Sequence, residues 1–165
     1  MNRLPPVTAL LLLLAAPAAA QEGAWTYRAE PEPVELSYVA PGAFAPALVL
    51  ACVKDSRQLV ARFPVEQRLG VRTLEGRWVD DVGRPAPWPV SVTLTSGEAQ
   101  TTIPGLADVD PQDGGSLVSV EFADRAPVAE AFRQTGVISL AALGGGVSAS
   151  PAPRRLAQSF LRYCR

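Results

Sequence analysis

Val90-Ser-Val-Thr-Leu-Thr-Ser-Gly-Glu-Ala-Gln-Thr-Thr-Ile103 alternates apolar and polar residues on both sides of Ser96-Gly97. A period of two is that of a strand with one buried face. Glycine supplies the positive φ that primed hairpin turns need, so Ser96-Gly97 is expected to turn the chain between strands at Val90–Thr95 and Glu98–Ile103. The same alternation, set off by proline and glycine, recurs at Trp25–Arg28, Val34–Val39, Leu48–Val53, Gln58–Phe63, Leu117–Phe122 and Val137–Leu143. Lys54 to Arg57 reads as another tight turn. Short strands at this spacing predict a mainly β protein, an antiparallel β-sandwich or small barrel.

Two stretches carry helical periodicity instead. Pro127–Thr135 places Val128, Ala131 and Phe132 on one face, with Asp124 expected to cap its start and Gly136 to end it. Pro153–Tyr163 aligns Leu156, Phe160 and Tyr163, and Cys164 falls on the same apolar side. The sequence holds two cysteines, Cys52 and Cys164. In an oxidising compartment an even pair is most simply a disulfide, here tethering the C-terminal helix to a mid-chain strand. A reactive thiol would need a neighbouring base, and a redox pair would need C-x-x-C spacing; the sequence offers neither histidine nor that spacing.

The oxidising compartment is itself an expectation from residues 1–20. Arg3, the apolar run Val7–Ala16 and the small residues Ala18 and Ala20 have the order of a signal peptide, cut before Gln21. The run is far shorter than the roughly 20 apolar residues that span a bilayer. The next apolar stretch, Ala43–Val53, is interrupted by Pro46, and Cys52 lies too far from the cut to be lipidated there. Residues 21–165 are then expected to form a single domain, periplasmic or secreted, with no integral span. Without Arg3 the chain carries fourteen basic and sixteen acidic residues, a formal charge of −2, which gives no broad attraction to nucleic acid or anionic lipid. Arginine replaces lysine everywhere except Lys54, and alanine and proline abound, a texture read as that of a GC-rich bacterial genome.

The chain has no histidine. That removes the Ser-His-Asp triad, the Cys-His pair and the zinc-histidine site from the chemistry it can build alone. No catalytic residue, metal site or cofactor is expected. Asp80 and Asp81 are the nearest approach to a carboxylate pair, but neighbours on a strand face opposite ways, and a solvated turn explains them. Asp108, Asp110, Asp113 and Gly114 only partly match a calcium loop, because Gln112 takes the fifth position and Ser119 replaces the closing glutamate. Gly144-Gly145-Gly146 lacks the lysine of a phosphate loop and reads as a flexible turn. Arg57, Arg62, Arg68, Arg72 and Arg77 are interspersed with acids, as on a solvated surface.

Two features remain as candidate partner surfaces. Trp78 and Trp88 flank a proline-stiffened segment, which suits a contact surface, although core packing is the simpler role for such rings. Arg154, Arg155, Arg162 and Arg165 crowd the last twelve residues without an acid and can meet an acidic partner.

Trp25, the strand Leu48-Val-Leu-Ala-Cys52, the step Phe132 to Gly136 after a short helix and the closing Phe160-Leu-Arg-Tyr-Cys164 together resemble small exported bacterial two-cysteine β-domains. The resemblance is to the invasion-associated locus B family and to the accessory lipoprotein-like components of type VI secretion. It implies a β-sandwich with a non-enzymatic role in the envelope or secretion apparatus, and it carries over no catalytic residue. The absent lipidation cysteine departs from the lipoprotein version. The expected function is therefore that of an exported accessory or protein-binding domain whose partner is another envelope or secreted protein. The alternatives are a secreted hydrolase using Asp80 or Asp81 with another acid, and a protease inhibitor presenting Arg84–Pro89.

Overall fold

In the hairpin at the centre of the sequence, Val92 and Leu94 are fully buried on one face, while Thr93 and its directly opposed partner Thr102 share a 2.9 Å hydroxyl contact on the other. Cross-strand pairs of this kind are what stabilise a sheet. The computed structural model describes residues 23–30 and 32–165; the expected signal peptide and its cut before Gln21 lie outside the described residues. In chain order the strands are β1 (Ala24–Arg28), β2 (Val34–Val39), β3 (Leu48–Cys52), β4 (Gln58–Val65), β5 (Arg72–Leu74), β6 (Arg77–Val79), β7 (Trp88–Ser96), β8 (Ala99–Val109) and β9 (Ser116–Ala123). After them come α1 (Pro127–Thr135), β10 (Ser139–Ala142), β11 (Gly145–Ser148) and α2 (Arg154–Cys164).

All strands except β5 and β6 join one nine-stranded antiparallel sheet, ordered β1-β2-β3-β4-β9-β8-β7-β10-β11. The sheet curls so that β11, at one edge, returns against the far end of β4, giving a half-barrel. Of the two expected arrangements, the barrel-like one forms. Proline is tolerated inside it for a positional reason: Pro64 pairs only with β9, beyond the reach of β3, and Pro104 pairs only with β7, before β8 meets β9. Gly105 sits where a Cβ would come within 2.7 Å of the Ser119 carbonyl oxygen. The crossing from one neighbour strand to the other needs a residue without a side chain.

Both helices close the concave side. α1 packs against β7, β8 and α2, and α2 packs against β2. Phe132, Phe160, Leu161 and Ile138 join Phe63, Leu36 and Leu50 in one contiguous buried cluster. Gly136 ends α1 in the left-handed conformation, φ 73°, with its N–H donating to the Phe132 carbonyl. The expected cap at the other end does not form. Ala126 is the N-cap and makes no side-chain bond; Asp124 instead accepts from Arg165 at 3.1 Å. Asp124 stands two residues before that N-cap, whereas the N–H groups of the second and third helical residues are capped by the side chain of the N-cap residue itself, so its carboxylate is left for another donor.

Cys52 and Cys164 are bonded, both buried, with Cα atoms 5.7 Å apart. The Arg57 N–H donates to the Cys164 carbonyl at 2.9 Å, so the turn after β3 also holds the end of α2. On the opposite side Trp25 Nε1 donates to the Ser150 carbonyl at 2.7 Å, fixing β1 to the segment before α2.

Three strands depart from the sequence reading. β5 and β6 are a short pair outside the main sheet, and all of β5 is exposed, so no burial pattern marks it. Gly144-Gly145-Gly146 is not a flexible turn throughout. Leu143 and Gly144 form the turn at positive φ, and Gly145 and Gly146 belong to the edge strand β11.

Candidate functional site

Trp88 opens β7 and is 4 % exposed, with its Nε1 donating to the Arg84 carbonyl at 2.9 Å. Its ring is core and offers no contact surface. Trp78 is half-buried on β6, with the Arg68 guanidinium 5.4 Å from its ring centroid. A Cβ on Gly70 would come within 3.1 Å of Trp88 and 3.3 Å of Trp78, so that glycine lets the backbone pass beneath both rings. The two tryptophans are thus brought together, but as the packing of one lobe.

Asp80 is buried beside them. Its carboxylate accepts from the N–H groups of Val82 and Arg84 at 3.2 and 2.7 Å and from Arg84 Nε at 2.7 Å. Burial alone would raise its pKa; the bonds from the Arg84 backbone and guanidinium and from Val82 outweigh that and hold it below the usual range. The carboxylate is therefore ionised and committed to closing the turn. Asp81 beside it is exposed. This arrangement supplies neither the raised carboxylic acid nor the facing pair that glycoside hydrolysis requires. Arg84, the leading residue of the candidate inhibitor loop, is held by the same turn.

The acidic loop between β8 and β9 is likewise occupied with its own backbone. Asp110 accepts from the Gln112 N–H at 2.9 Å, and Asp108 accepts from the N–H of Val109 at 2.7 Å. Among the described residues no three side chains of His, Cys, Asp or Glu converge as metal ligands.

The C-terminal arginines divide. Arg165 reaches back to α1, donating from Nε to Asp124 and from Nη2 to Glu130, each at 3.1 Å. Arg133 also donates to Glu130, and chiefly through that bond the Glu130 carboxyl is lowered from 4.5 to about 2 against the opposing effect of burial. Arg165 is thereby a structural tie between the chain end and α1. Arg154, Arg155 and Arg162 are exposed on α2 and form no ion pair or side-chain hydrogen bond among the described residues. Arg155 and Arg162 are seven positions apart, two helical turns, and so lie along one outer stripe. On the inner side of the same helix Tyr163 donates to Glu32 at 2.8 Å, which raises its phenol pKa.

Two surface features escaped the sequence reading. One is Phe44, wholly exposed in the loop between β2 and β3. The other is a cleft of about 820 Å³ beside that loop, walled by the start and end of the loop, the end of β4 and the β10–β11 turn. The cleft has no local signature, because it arises where the curled sheet brings its edge back against β4.

The fold and these surfaces define a half-barrel β-domain with a disulfide-tethered C-terminal helix. Compared with known proteins, the chain matches no family model, no curated protein and no solved structure.

Proposed function

We propose that this chain is an exported, non-enzymatic accessory domain of a bacterial envelope or secretion apparatus, and that it binds an acidic surface of another envelope or secreted protein through the outer stripe of α2. One observation carries this reading: Arg154 and Arg155 open α2, whose first turn contains no acid, and neither they nor Arg162 has an ionic partner among the described residues. A cation at a helix N-terminus opposes the helix dipole, by about 0.3 to 1 kcal/mol each at an exposed position. Stability alone would favour acids there. A carboxylate-rich partner converts the same charges into attraction, and the helix that presents them is fixed at its far end by the disulfide. The disulfide also fits an oxidising compartment, and no helix among the described residues is long and apolar enough to cross a membrane. The resemblance to exported two-cysteine β-domains supports the same role.

The test is affinity capture from envelope and culture fractions of the native host, comparing the parent domain with a variant carrying Arg154→Glu, Arg155→Glu and Arg162→Glu. The parent is expected to retain a partner whose recovery falls as salt rises, and the variant to lose it while still melting cooperatively, its glutamates at the start of α2 complementing the dipole that the two arginines oppose. Equal recovery by both would overturn the assignment.

A further inference from the structure

The sequence holds one Asp-Pro bond, Asp110–Pro111, in the loop between β8 and β9. An aspartate carboxyl reaches its own backbone carbonyl carbon through a five-membered ring, and covalent attachment makes that attack unimolecular. Proline has no N–H, so its nitrogen cannot instead close an imide on the aspartate side chain. Together the two residues make a peptide bond whose cleavage route is open and whose competing route is shut.

The fold adds to that chemistry on both sides of the bond. The Asp110 carbonyl oxygen accepts from the Gly114 N–H at 3.1 Å, with Gly114 at a left-handed φ of 72°. A backbone donor on a carbonyl oxygen stabilises the oxyanion that forms when the carbon is attacked. Asp110 Oδ1 accepts from the Gln112 N–H at 2.9 Å, which fixes the carboxyl beside the bond, and Oδ2 accepts from no group among the described residues. Asp110 is 7 % exposed while Pro111 is open to solvent, so the nucleophile is held in place and water and protons reach the leaving nitrogen. Glu66, just after β4, and Asp113 line a hollow of about 250 Å³ with Asp110; Arg62 of β4 lines the adjoining one with Asp110, Pro111 and Asp113. Asp108, on β8, is turned to the N–H of Val109. The acids around the bond outnumber the base, and their field favours a proton arriving at the Pro111 nitrogen.

We propose that this chain cleaves itself at Asp110–Pro111 in mild acid. Oδ2 attacks the Asp110 carbonyl carbon and forms a C–O bond; the C–N bond to Pro111 breaks, and its electron pair takes up the proton that the carboxyl gives up through solvent. Water then opens the cyclic anhydride, leaving the side-chain and main-chain carboxyls free on Asp110 and an amine on Pro111. The sum is hydrolysis of one peptide bond. Neither half departs, because β8 ends at Val109 and β9 begins at Ser116, so the cut falls outside both strands, and Cys52–Cys164 joins the pieces across it. The product is a two-chain domain. The step uses none of the α2 arginines and stands independently of the partner proposed for them.

Incubation of the disulfide-bonded domain at about pH 4, alone and in about 8 M urea, tests the step, with the products weighed by mass spectrometry before and after reduction. The folded parent is expected to gain the mass of a water, and on reduction to separate into a chain ending at Asp110 and another beginning at Pro111, about 10-fold or more faster than the urea-unfolded chain. Asp110→Asn keeps an oxygen for the Gln112 N–H but puts a weak nucleophile in place of the carboxyl, and is expected to slow the cut about 100-fold or more. Pro111→Ala reopens the imide route and is expected to slow it about 10-fold or more. Circular dichroism at the same pH checks that each variant is folded. No cut in the folded parent, a cut no faster than in urea, or a parental rate in folded Asp110→Asn overturns the proposal.

Discussion

Replacing both cysteines by alanine removes a crosslink whose ends are 112 residues apart. The chain-entropy relation for a loop of that length gives about 16 cal/mol/K, or about 4.8 kcal/mol at 25 °C, as the freedom returned to the unfolded chain. The native state loses more besides, because the two sulfurs are buried and their removal leaves unfilled space between β3 and α2. Two hydrogen bonds outlast the bond itself: Arg57 N–H to the Cys164 carbonyl at 2.9 Å and Arg165 to Asp124 at 3.1 Å keep the end of α2 near its seat. Folding should therefore survive with a large loss. For a domain of this size each kcal/mol shifts the melting temperature by about 2 to 4 °C, so a fall of roughly 10 to 20 °C is expected. Circular dichroism melts of the parent and of Cys52→Ala/Cys164→Ala, both without reductant, measure it. A fall of less than about 3 °C would refute the reasoning, because it would mean that the unfolded chain was already constrained without the bond.

Other expectations follow from single residues. Gly136→Ala places a Cβ about 2.1 Å from the Ala152 carbonyl oxygen at a left-handed φ, and should cost about 2 to 4 kcal/mol by urea unfolding; Gly97→Ala, left-handed with only a 4.0 Å contact, should cost about 1 to 2. Trp88→Ala should cost about 3 to 5 kcal/mol as a core truncation, and Trp78→Ala visibly less; equal losses would contradict the burial difference between them. The carboxyl of Glu130 is lowered on folding, so its contribution is present above the unfolded value of 4.5 and is lost as pH falls toward about 2. Acid melts of Glu130→Gln should accordingly show a weaker pH dependence than the parent across that window.

Where burial and backbone geometry leave a local mark, the sequence could be read. Val92 and Leu94 alternate with polar residues because β7 buries one face, and Gly136 ends α1 because a left-handed φ favours glycine and a Cβ there would meet the Ala152 carbonyl oxygen. The disulfide followed from compartment and pairing, and the structure adds that α2 presents Cys164 inward among Phe160 and Leu161. What escaped depends on distant partners. Asp124 stands where a helix cap would be useful, yet Arg165, forty-one positions later, takes its carboxylate. β11 is two glycines, a valine and a serine, and only the pairing with β10 makes it a strand. Phe44 belongs to the apolar stretch Ala43–Val53, whose composition does not separate the ring before Pro46 from the strand after it; the hairpin buries Leu48 and Leu50 and leaves the ring outside. Trp88 and Trp78 are equivalent in sequence, and only the fold makes the first core and the second half-exposed.

The proposed role requires export to an oxidising compartment, where the two sulfurs bond. Intact-mass analysis of the protein from the native host, with denaturation in an alkylating agent before any reduction, tests it most directly. The expected species is a periplasmic or culture-fraction chain beginning at Gln21, with neither Cys52 nor Cys164 alkylated until reductant is added. A cytoplasmic chain retaining residues 1–20, or alkylation of both sulfurs without reductant, would contradict it.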